Sequence, residues 1–323
     1  MNLQTIYRGM KKNLREIETG LFEALKSDHI ELQEASHHLL HAGGKRIRPV
    51  FVLLSGQFGS PSFAQLKSIA IVLELIHMAT LVHDDVIDNA ETRRGKPTVK
   101  AKWDNRIALL SGDYILACAL QELCKFQDQR IHRVLSHEML EMCRGEIEQI
   151  RDLYQAELTI HRYLQRIKRK TALLIMVSCQ LGAMVSQTSE QVEQVLRSYG
   201  YYIGMAFQMI DDILDFTGTD KELGKPAGSD LKTGNVTLPV IYALKHLDPV
   251  KRKQIVDYLA HKGQSDNLTE VLEIVKTSGG IEFANQLANR YLHKALAVLD
   301  KLPKQKERDS LQRIAEFIVK RTY

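Results

Sequence analysis

The sequence predicts an all-helical fold, in which successive helices pack into a bundle around a buried core, and three observations support it. Apolar residues recur three or four positions apart through most of the chain, as they do along one face of an α-helix. No segment has the alternating apolar and polar pattern of a half-buried strand. Glycine and proline residues stand at several breaks between the periodic segments, where they interrupt helices.

The first helices follow from these rules in chain order. Residues 5–27 are predicted to form one helix, because six apolar residues share one face: Ile6, Met10, Leu14, Ile17, Leu21 and Leu25. A second helix over 30–41 ends before Gly43-Gly44. Pro49 stands at the start of the third helix, where its missing N–H group does no harm.

A long apolar helix is predicted over 63–90, opened by Ser60-Pro61-Ser62, and Gly95-Lys96-Pro97-Thr98 is a predicted loop. The stretch 218–236 is rich in Gly, Lys and Asp and is interpreted as a functional loop. No linker or shift in composition divides the chain, so a single domain over residues 1–323 is predicted. The remaining predicted helices cover 104–126, 129–153, 157–186, 189–217, 237–246, 249–261, 268–300 with a break at Gly279-Gly280, and 305–320.

Composition places the chain among soluble globular proteins. It is 44% hydrophobic and 26% charged, which argues against disorder. The net charge of +5 arises from interspersed residues of both signs, so no nucleic-acid partner is predicted. The four cysteines are scattered without a Cys-x-x-Cys pair, which argues against structural zinc and disulfides.

The sequence also predicts a cytoplasmic location. The N-terminal residues lack the charged start and apolar run of a signal peptide. No uninterrupted apolar stretch reaches about 18 residues, so no membrane span is predicted. Any membrane contact would then be peripheral.

The helix over 63–90 carries three carboxylates, Asp84, Asp85 and Asp88, within an otherwise apolar segment. Asp84 and Asp88 are four residues apart and share a helix face. Like charges on a core-facing surface cost free energy unless a cation lies between them. One such motif alone could equally be a solvated helix end.

The same spacing returns in the helix over 189–217, at Asp211, Asp212 and Asp215. Two such motifs in apolar helices favour a metal site, with the motifs as its two walls. Mg²⁺ prefers hard oxygen ligands and usually takes one or two carboxylates together with water or phosphate. The pair of motifs therefore predicts several Mg²⁺ ions that bind a highly charged ligand such as a diphosphate.

Basic residues supply the complementary half of this hypothesis. Gly43-Gly44 is followed by Lys45, Arg46 and Arg48 at a helix start, where backbone donors and the helix dipole favour an anion. Arg93 and Arg94 follow the first acidic motif, and guanidinium groups bind phosphate bidentately. Such clusters are often solvated faces, but their position beside turns and acidic motifs favours anion binding here.

Other candidates are individually weaker. His77 lies two helical turns before Asp84, although a lone histidine on an apolar helix is more often a core residue. Lys170 and Thr171 close a basic run, most of which is interpreted as a solvated face. Gln208 lies three residues before the second acidic motif, and Lys225 stands in the loop that follows it.

Four segments together resemble the trans-prenyl diphosphate synthases, in the order found in that family and across nearly the whole chain. The family has an isoprenoid-synthase-type helical fold around a central cavity. It condenses isopentenyl diphosphate with an allylic prenyl diphosphate. The four segments are Gly43-Gly44-Lys45-Arg46-Ile47-Arg48-Pro49, His83-Asp84-Asp85-Val86-Ile87-Asp88, Arg93-Arg94-Gly95-Lys96-Pro97 and Gln208-Met209-Ile210-Asp211-Asp212-Ile213-Leu214-Asp215.

The resemblance implies roles for individual residues. The diphosphate of isopentenyl diphosphate is expected to bind Lys45, Arg48, His77 and Arg94. The allylic diphosphate is expected to bind Arg93, Lys170, Thr171, Gln208 and Lys225. The expected Mg²⁺ ligands are Asp84, Asp88 and Asp211, with Asp85, Asp212 and Asp215 completing the catalytic motifs. The basic tail Lys320-Arg321-Thr322-Tyr323 resembles one that folds over the site in the family, whereas Asn235 stands where the family often has lysine.

Two further segments most resemble the catalytic subunits, component II, of the heptaprenyl diphosphate synthases. They are Lys100-Ala101-Lys102-Trp103-Asp104-Asn105-Arg106 and Cys143-Arg144-Gly145-Glu146-Ile147-Glu148-Gln149-Ile150. This resemblance implies farnesyl diphosphate as the primer, and heptaprenyl diphosphate as the product, destined for menaquinone side chains. It also implies a heterodimer with a smaller, non-catalytic subunit.

Product length is expected to depend on Ala79 and Thr80, which lie one turn deeper in the helix than Asp84. Aromatic residues there would close the product pocket, as in short-chain members of the family, whereas small residues leave room for a long chain. The alternative is that Ala79 is small because two helices pack closely there.

Three other functions are compatible with parts of the pattern. A class I terpene cyclase shares the ionisation chemistry but has no use for the isopentenyl-binding residues. A non-catalytic partner subunit would lack the acidic motifs. A plain metal- or anion-binding bundle would require the whole set of motifs to be coincidental.

Overall fold

A computed structural model of the chain describes residues 3–218, 227–264 and 267–319. These residues are mostly helical with almost no strands, so the predicted all-α class is confirmed. A π-helical turn, Lys168–Ala172, joins α9 to α10. In chain order the helices are α1 (Leu3–Gly9), α2 (Lys11–Ala24), α3 (Ile30–His41), α4 (Ile47–Gly56), α5 (Phe63–Ile87), α6 (Val99–Lys102), α7 (Asn105–Leu123), α8 (Gln129–Asp152), α9 (Ile160–Ile167), α10 (Leu173–Val185), α11 (Glu190–Thr217), α12 (Ser229–Lys232), α13 (Leu238–His246), α14 (Pro249–Ala260), α15 (Leu268–Lys276), α16 (Gly280–Leu299) and α17 (Lys306–Val319).

Two predicted helices differ from the helices in the structure. The helix expected over 5–27 breaks at Met10, between α1 and α2. The helix expected over 157–186 begins only at Ile160, because the Thr159 hydroxyl accepts a hydrogen bond from the Arg162 N–H at 3.2 Å and caps α9. The predicted loop over 218–236 also contains the short helix α12. The other long helices lie close to their predicted bounds.

The prediction that the chain contains no sheet was wrong at one turn. Two short strands, β1 (Thr92–Arg93) and β2 (Lys96–Pro97), pair antiparallel and place Arg93 opposite Lys96. Arg94 and Gly95 between them have φ values of 55° and 74°. Two consecutive left-handed residues form the two-residue loop that matches the twist of a hairpin. This hairpin orients both predicted diphosphate-binding arginines.

The described residues cluster into two compact units. Unit 1 comprises Met1–Ser136, Val177–Arg197 and Leu302–Arg313, and unit 2 comprises His137–Met176, Ser198–Lys301 and Ile314–Tyr323. The single domain predicted over residues 1–323 stays a prediction.

Unit 1 is built around α5, which packs extensively against α7 and α4. Nearly every side chain from Ile69 to Ala79 is buried, so the helix is apolar on all sides. By length and composition α5 could cross a membrane, although no membrane span was predicted from the sequence. However, 67% of its most apolar window is buried inside the protein, and a buried core helix meets the same criterion.

The core of unit 2 is formed by α9, the second half of α11 and the helices α12–α16. Met209 and Phe216 of α11 are buried there with Leu231 and Ile255. These contacts fix the orientation of α11, which also carries the second acidic motif.

Candidate active site

The first acidic motif lies at the C-terminal end of α5. Asp84 is half-buried, Asp85 is only 2% exposed, and Asp88 is exposed and caps the helix, its N–H donating to the Asp84 carbonyl at 2.8 Å. The helix dipole places partial negative charge at this end, and the carboxylates add further negative charge to it. The resulting negative potential attracts a cation, and Asp84 and Asp88 are the carboxylates on the more accessible side.

Asp85 is held inside unit 1 by Arg93. The Arg93 Nε and Nη2 atoms both donate to Asp85 Oδ1 at 2.7 Å. Burial raises the pKa of the Asp85 carboxyl, and the hydrogen bond and charge of Arg93 oppose that rise. Asp85 therefore positions an arginine, and the supporting role expected for it in the motif stays a prediction.

A cationic cluster surrounds the start of α4. Arg46 has a left-handed backbone with φ of 47° and immediately precedes the helix. Its Nε and Nη2 atoms donate to the two oxygens of Glu18 at 2.8 and 2.9 Å, and its Nη1 donates to Glu74 at 2.9 Å. The neighbouring Lys45 is exposed, and its carbonyl accepts a hydrogen bond from the Tyr7 hydroxyl at 2.7 Å.

His77 faces this cluster from α5. Burial lowers the pKa of its imidazole well below the usual value, and the charges of four arginines lower it further. The imidazole is therefore neutral at physiological pH, within a strongly positive field. Such a field favours an anion, and a neutral imidazole can donate a hydrogen bond to it. The four arginines are Arg48, Arg94, Arg93 and Arg46.

Arg48 is half-buried and belongs to the same cluster. Burial lowers the pKa of its guanidinium to about 10, with Glu74 opposing this effect and Arg94 adding to it. Its Nε atom is buried and has no hydrogen-bond partner in the described parts of the chain. A buried donor of this kind is costly unless a ligand satisfies it.

The Gly43-Gly44 turn leaves room for Arg94. A Cβ atom on Gly44 would lie 2.7 Å from Arg94 Nη1, and the Gly44 backbone has φ of 154°. The guanidinium therefore packs directly on the backbone of this turn. Glycine is needed here for close approach as well as for its conformation.

Replacing Gly44 with alanine is expected to raise the KM for isopentenyl diphosphate, the substrate that the family resemblance implies, about tenfold, because the methyl group displaces the Arg94 guanidinium. The KM for the allylic substrate should change by less than about twofold. Gly95→Ala is the control, since a Cβ there meets no atom within 4 Å although its φ is also positive. Equal effects of the two substitutions on this KM would contradict the explanation.

The second acidic motif lies on α11 in unit 2, and its middle carboxylate points into the protein. Asp212 accepts a hydrogen bond from the Tyr163 hydroxyl at 2.7 Å and another from Gln208 Nε2 at 2.8 Å. Thr171 in turn donates to Gln208 Oε1 at 2.6 Å. Burial raises the pKa of Asp212 to about 7, and Asp230 adds to this rise while the two hydrogen bonds oppose it.

Asp215 is also buried, and its carboxylate stabilises the local backbone. Its carboxylate accepts hydrogen bonds from the Ser229 hydroxyl at 3.0 Å and from the Asp230 N–H at 3.2 Å. It therefore anchors the start of α12. Asp211 is half-buried and is the most accessible carboxylate of this motif. The two motifs share a sequence pattern, yet Asp88 is exposed whereas Asp215 is buried.

The π-helical turn at 168–172 carries Lys170 and Thr171. Lys170 Nζ lies 3.4 Å from Glu146 Oε2, and Thr171 belongs to the hydrogen-bond network of Asp212. Unit 2 thus brings together three of the predicted allylic-site residues: Lys170, Thr171 and Gln208. Arg93 lies in unit 1 with Asp85.

Two predicted elements lie outside the described residues: Lys225, and the basic tail Lys320-Arg321-Thr322-Tyr323. Asn235, which stands where the family often has lysine, is described. Its Nδ2 atom donates to the Thr233 hydroxyl at 3.1 Å, and its N–H donates to the Asp230 carbonyl at 2.8 Å. Its side chain therefore stabilises the local turn.

The predicted product-length residues lie on α5 between His77 and Asp84. Ala79 is buried, and Thr80 is half-buried with its hydroxyl donating to the His77 carbonyl at 2.8 Å. Both side chains are small, so this part of the helix carries no bulky residue at these two positions.

Glu18, Glu74 and Tyr163 were not predicted from the sequence, and Arg46 was included only as one of three cations that favour an anion. Glu74 could have been noticed in the sequence, since it is the single carboxylate within an otherwise apolar run, one turn before His77. Tyr163 had none, because its partner Asp212 is 49 residues away in the chain.

Comparison with known proteins identifies the family of the chain. The family described as Polyprenyl synthetase matches residues 29–275. The chain is 50% identical, over all of its length and 92% of the relative's, to heptaprenyl diphosphate synthase component 2 of Bacillus subtilis. It is 41% identical to the crystal structure of heptaprenyl diphosphate synthase from Staphylococcus aureus, with a TM-score of 0.88 over 97% of this chain and 98% of the other.

A polyprenyl synthase from Caulobacter crescentus, crystallised with calcium and isoprenyl diphosphate, has a TM-score of 0.94 at 28% identity. The match covers 99% of this chain and 98% of that one, and the calcium in that complex is a divalent cation. The designation component 2 implies that the Bacillus relative works with another component.

The predicted isoprenoid-synthase helical fold and the predicted prenyltransferase activity are confirmed by these matches. The chain belongs to the polyprenyl synthetase family and is a chain-elongating prenyltransferase.

Proposed function

We propose that this prenyltransferase condenses isopentenyl diphosphate with an allylic diphosphate, farnesyl diphosphate as the primer, in a Mg²⁺-dependent reaction that yields all-trans-heptaprenyl diphosphate. One observation carries the proposal. Within 12 residues, α5 and its cap present a neutral histidine among four arginines and then an acidic motif. An anion site beside a carboxylate site suits an enzyme with two diphosphate substrates, whereas a terpene cyclase requires only one.

The carboxylates present fit Mg²⁺. Asp84 and Asp88 share one side of the end of α5 and offer hard oxygen donors, as does Asp211 on α11. Across residues 3–218, 227–264 and 267–319, no group of three or more His, Cys, Asp or Glu side chains converges to hold a metal by itself. Mg²⁺ commonly takes only one or two carboxylates and completes its coordination with water and substrate phosphate, so this arrangement is compatible with it.

The residues of the cluster then have distinct tasks. Arg48, Arg94 and the neutral His77 hold the diphosphate of isopentenyl diphosphate, and Lys45 closes over it from the exposed side. When bound, Mg²⁺ supplies positive charge that stabilises the departing allylic diphosphate. In unit 2, Thr171 and Gln208 orient polar groups toward the allylic substrate.

The reaction proceeds by ionisation, addition and proton loss. The allylic C–O bond breaks, and its electron pair leaves with the diphosphate. The double bond of isopentenyl diphosphate, held close to the cation, forms the new carbon–carbon bond. A proton is then lost to the released diphosphate, and no strong protein base is required. Apolar side chains of α5 exclude water that would quench the cation.

Incubation of the chain with farnesyl diphosphate, isopentenyl diphosphate and Mg²⁺, with and without a candidate small subunit, tests the proposal by product chromatography. We expect heptaprenyl diphosphate, no turnover without isopentenyl diphosphate, and loss of activity when EDTA removes the metal. Cyclised product without isopentenyl diphosphate would identify a terpene cyclase instead. We further propose that the product supplies menaquinone side chains and that the enzyme is cytoplasmic, with at most peripheral membrane contact for product release.

We also propose that the enzyme works as a heterodimer with a smaller, non-catalytic subunit. The exposed side of α8 supports this. Leu140, Ile147 and Ile150 are 60%, 53% and 46% exposed, and Cys143 is exposed between them. Spacings of three, four and three residues place the four on one stripe of the helix. An exposed apolar stripe of this kind is typical of a surface that another protein covers.

Replacing Ile147 with glutamate is expected to weaken binding of the small subunit at least about tenfold, because a charge would be buried in the interface. Val250→Glu is the matched control, since Val250 is an exposed apolar residue at the start of α14. Size-exclusion chromatography with light scattering measures the assembly. A heterodimer as stable for Ile147→Glu as for the control would remove this stripe from the interface.

A further inference from the structure

Glu74 is a buried carboxylate within the cationic cluster of unit 1. It is 2% exposed and lies on α5, one turn before His77. Its Oε1 atom accepts a hydrogen bond from Arg46 Nη1 at 2.9 Å. Its Oε2 atom is buried and accepts no hydrogen bond from any residue that the structure describes. Burying a carboxylate costs free energy, so one hydrogen bond does not account for this position by itself.

The charge of Glu74 acts on more than its hydrogen-bonded partner. It raises the pKa of Arg48 against the effects of burial and of Arg94. It also raises the pKa of Arg94 against burial and the charge of Arg46. The carboxylate therefore favours the charged form of the two guanidinium groups that are expected to bind the diphosphate.

These cations come from separate parts of the chain. Arg46 and Arg48 lie at the start of α4, and Arg94 lies in the loop of the β1–β2 hairpin. Their mutual repulsion opposes a closely grouped arrangement before an anion binds. Glu74 is the buried carboxylate among them, whereas Glu18, the other partner of Arg46, has a side chain that is 36% exposed.

We propose that Glu74 is a positioning residue for the isopentenyl diphosphate site. It fixes Arg46 directly and offsets the charges of Arg48 and Arg94, so that the site is already assembled when the diphosphate arrives. This inference rests on the function proposed above. The negative charge of Glu74 also weakens the attraction of the site for an anion. The inference requires that the gain from preorganised arginines is larger than this loss.

The kinetic test compares Glu74→Gln with Glu18→Gln. Both changes remove one negative charge and keep the side-chain size and an acceptor for Arg46. We expect Glu74→Gln to raise the KM for isopentenyl diphosphate about tenfold and to change kcat and the allylic KM by less than about twofold. Glu18→Gln should raise the KM for isopentenyl diphosphate by less than Glu74→Gln does, because the Glu18 side chain is 36% exposed and its charge is screened by solvent. Equal effects of the two variants, or a lower KM for Glu74→Gln, would overturn the inference.

A binding test separates this inference from the proposed function. Calorimetry measures the affinity of the full chain for inorganic diphosphate in the presence of EDTA, so that only the cations contribute. We expect Glu74→Gln to bind about tenfold more weakly than the wild-type chain and Glu18→Gln to lose less affinity than Glu74→Gln does. Weaker binding by Glu74→Gln in a chain that does not use isopentenyl diphosphate would refute the function and keep the positioning role.

Glu74→Asp distinguishes loss of the charge from a general disturbance of the fold. It retains the charge but shortens the side chain, and we expect it to restore at least half of the lost affinity for inorganic diphosphate. A thermal unfolding curve is recorded for each variant. Glu74→Asp and Glu74→Gln that bind inorganic diphosphate as tightly as the wild-type chain would overturn the inference, whatever their Tm.

Discussion

Replacing Asp84 with asparagine is expected to lower kcat at least about a thousandfold. The substitution removes one negative oxygen donor from the end of α5, where Asp84 and Asp88 share a side. A metal ion contributes several kcal/mol to transition-state stabilisation, and each 1.36 kcal/mol or so corresponds to a tenfold change in rate. We expect the Mg²⁺ concentration for half-maximal activity to rise as well.

Two controls accompany the Asp84 variant. Asp113→Asn removes a carboxylate from α7 that is 71% exposed, and it should leave the rate unchanged. Asp85→Asn removes the partner of Arg93, so we expect a rise in the allylic KM together with a smaller loss of kcat than Asp84→Asn shows. Retention of more than a tenth of wild-type turnover by Asp84→Asn, with normal Mg²⁺ dependence, would exclude Asp84 as a metal ligand.

The second large effect is expected for product length. Ala79→Phe should shift the product from the proposed heptaprenyl diphosphate to shorter prenyl diphosphates, because the aromatic ring would occupy the space through which we expect the chain to grow. Ala79 is 2% exposed on α5, five residues before Asp84. Total turnover should fall only a few-fold, since no diphosphate contact is lost.

A graded series of Val, Leu and Phe at position 79 distinguishes this explanation from helix packing. If the product passes Ala79, the length should decrease as side-chain volume increases, and Thr80→Phe should act similarly. If Ala79 is small only because helices pack there, overpacking would lower the free energy of unfolding by about 1–3 kcal/mol without shortening the product. Chromatography of the product and thermal unfolding together decide between the two.

The local features of this protein were predictable from the sequence. The helices are encoded by apolar spacing, and the positions of Asp84 and Asp88 follow from a helical repeat that brings residues four apart onto one side. The Gly43-Gly44 turn and the nearby cations were equally visible, because glycine and charge act over a few residues. Family and activity could be inferred because the diagnostic motifs are contiguous.

Only the tertiary structure decided which acidic residues turn inward. Asp85 and Asp212 occupy the same place in their motifs, but one is held by Arg93 of the hairpin and the other by Tyr163 of α9. The role of Glu74 likewise depends on Arg46, 28 residues away in the chain. Such contacts arise from packing between distant segments, and no local pattern of residues encodes them. The sequence thus determined the helices and the chemistry of their side chains, whereas packing determined the partner of each charged group.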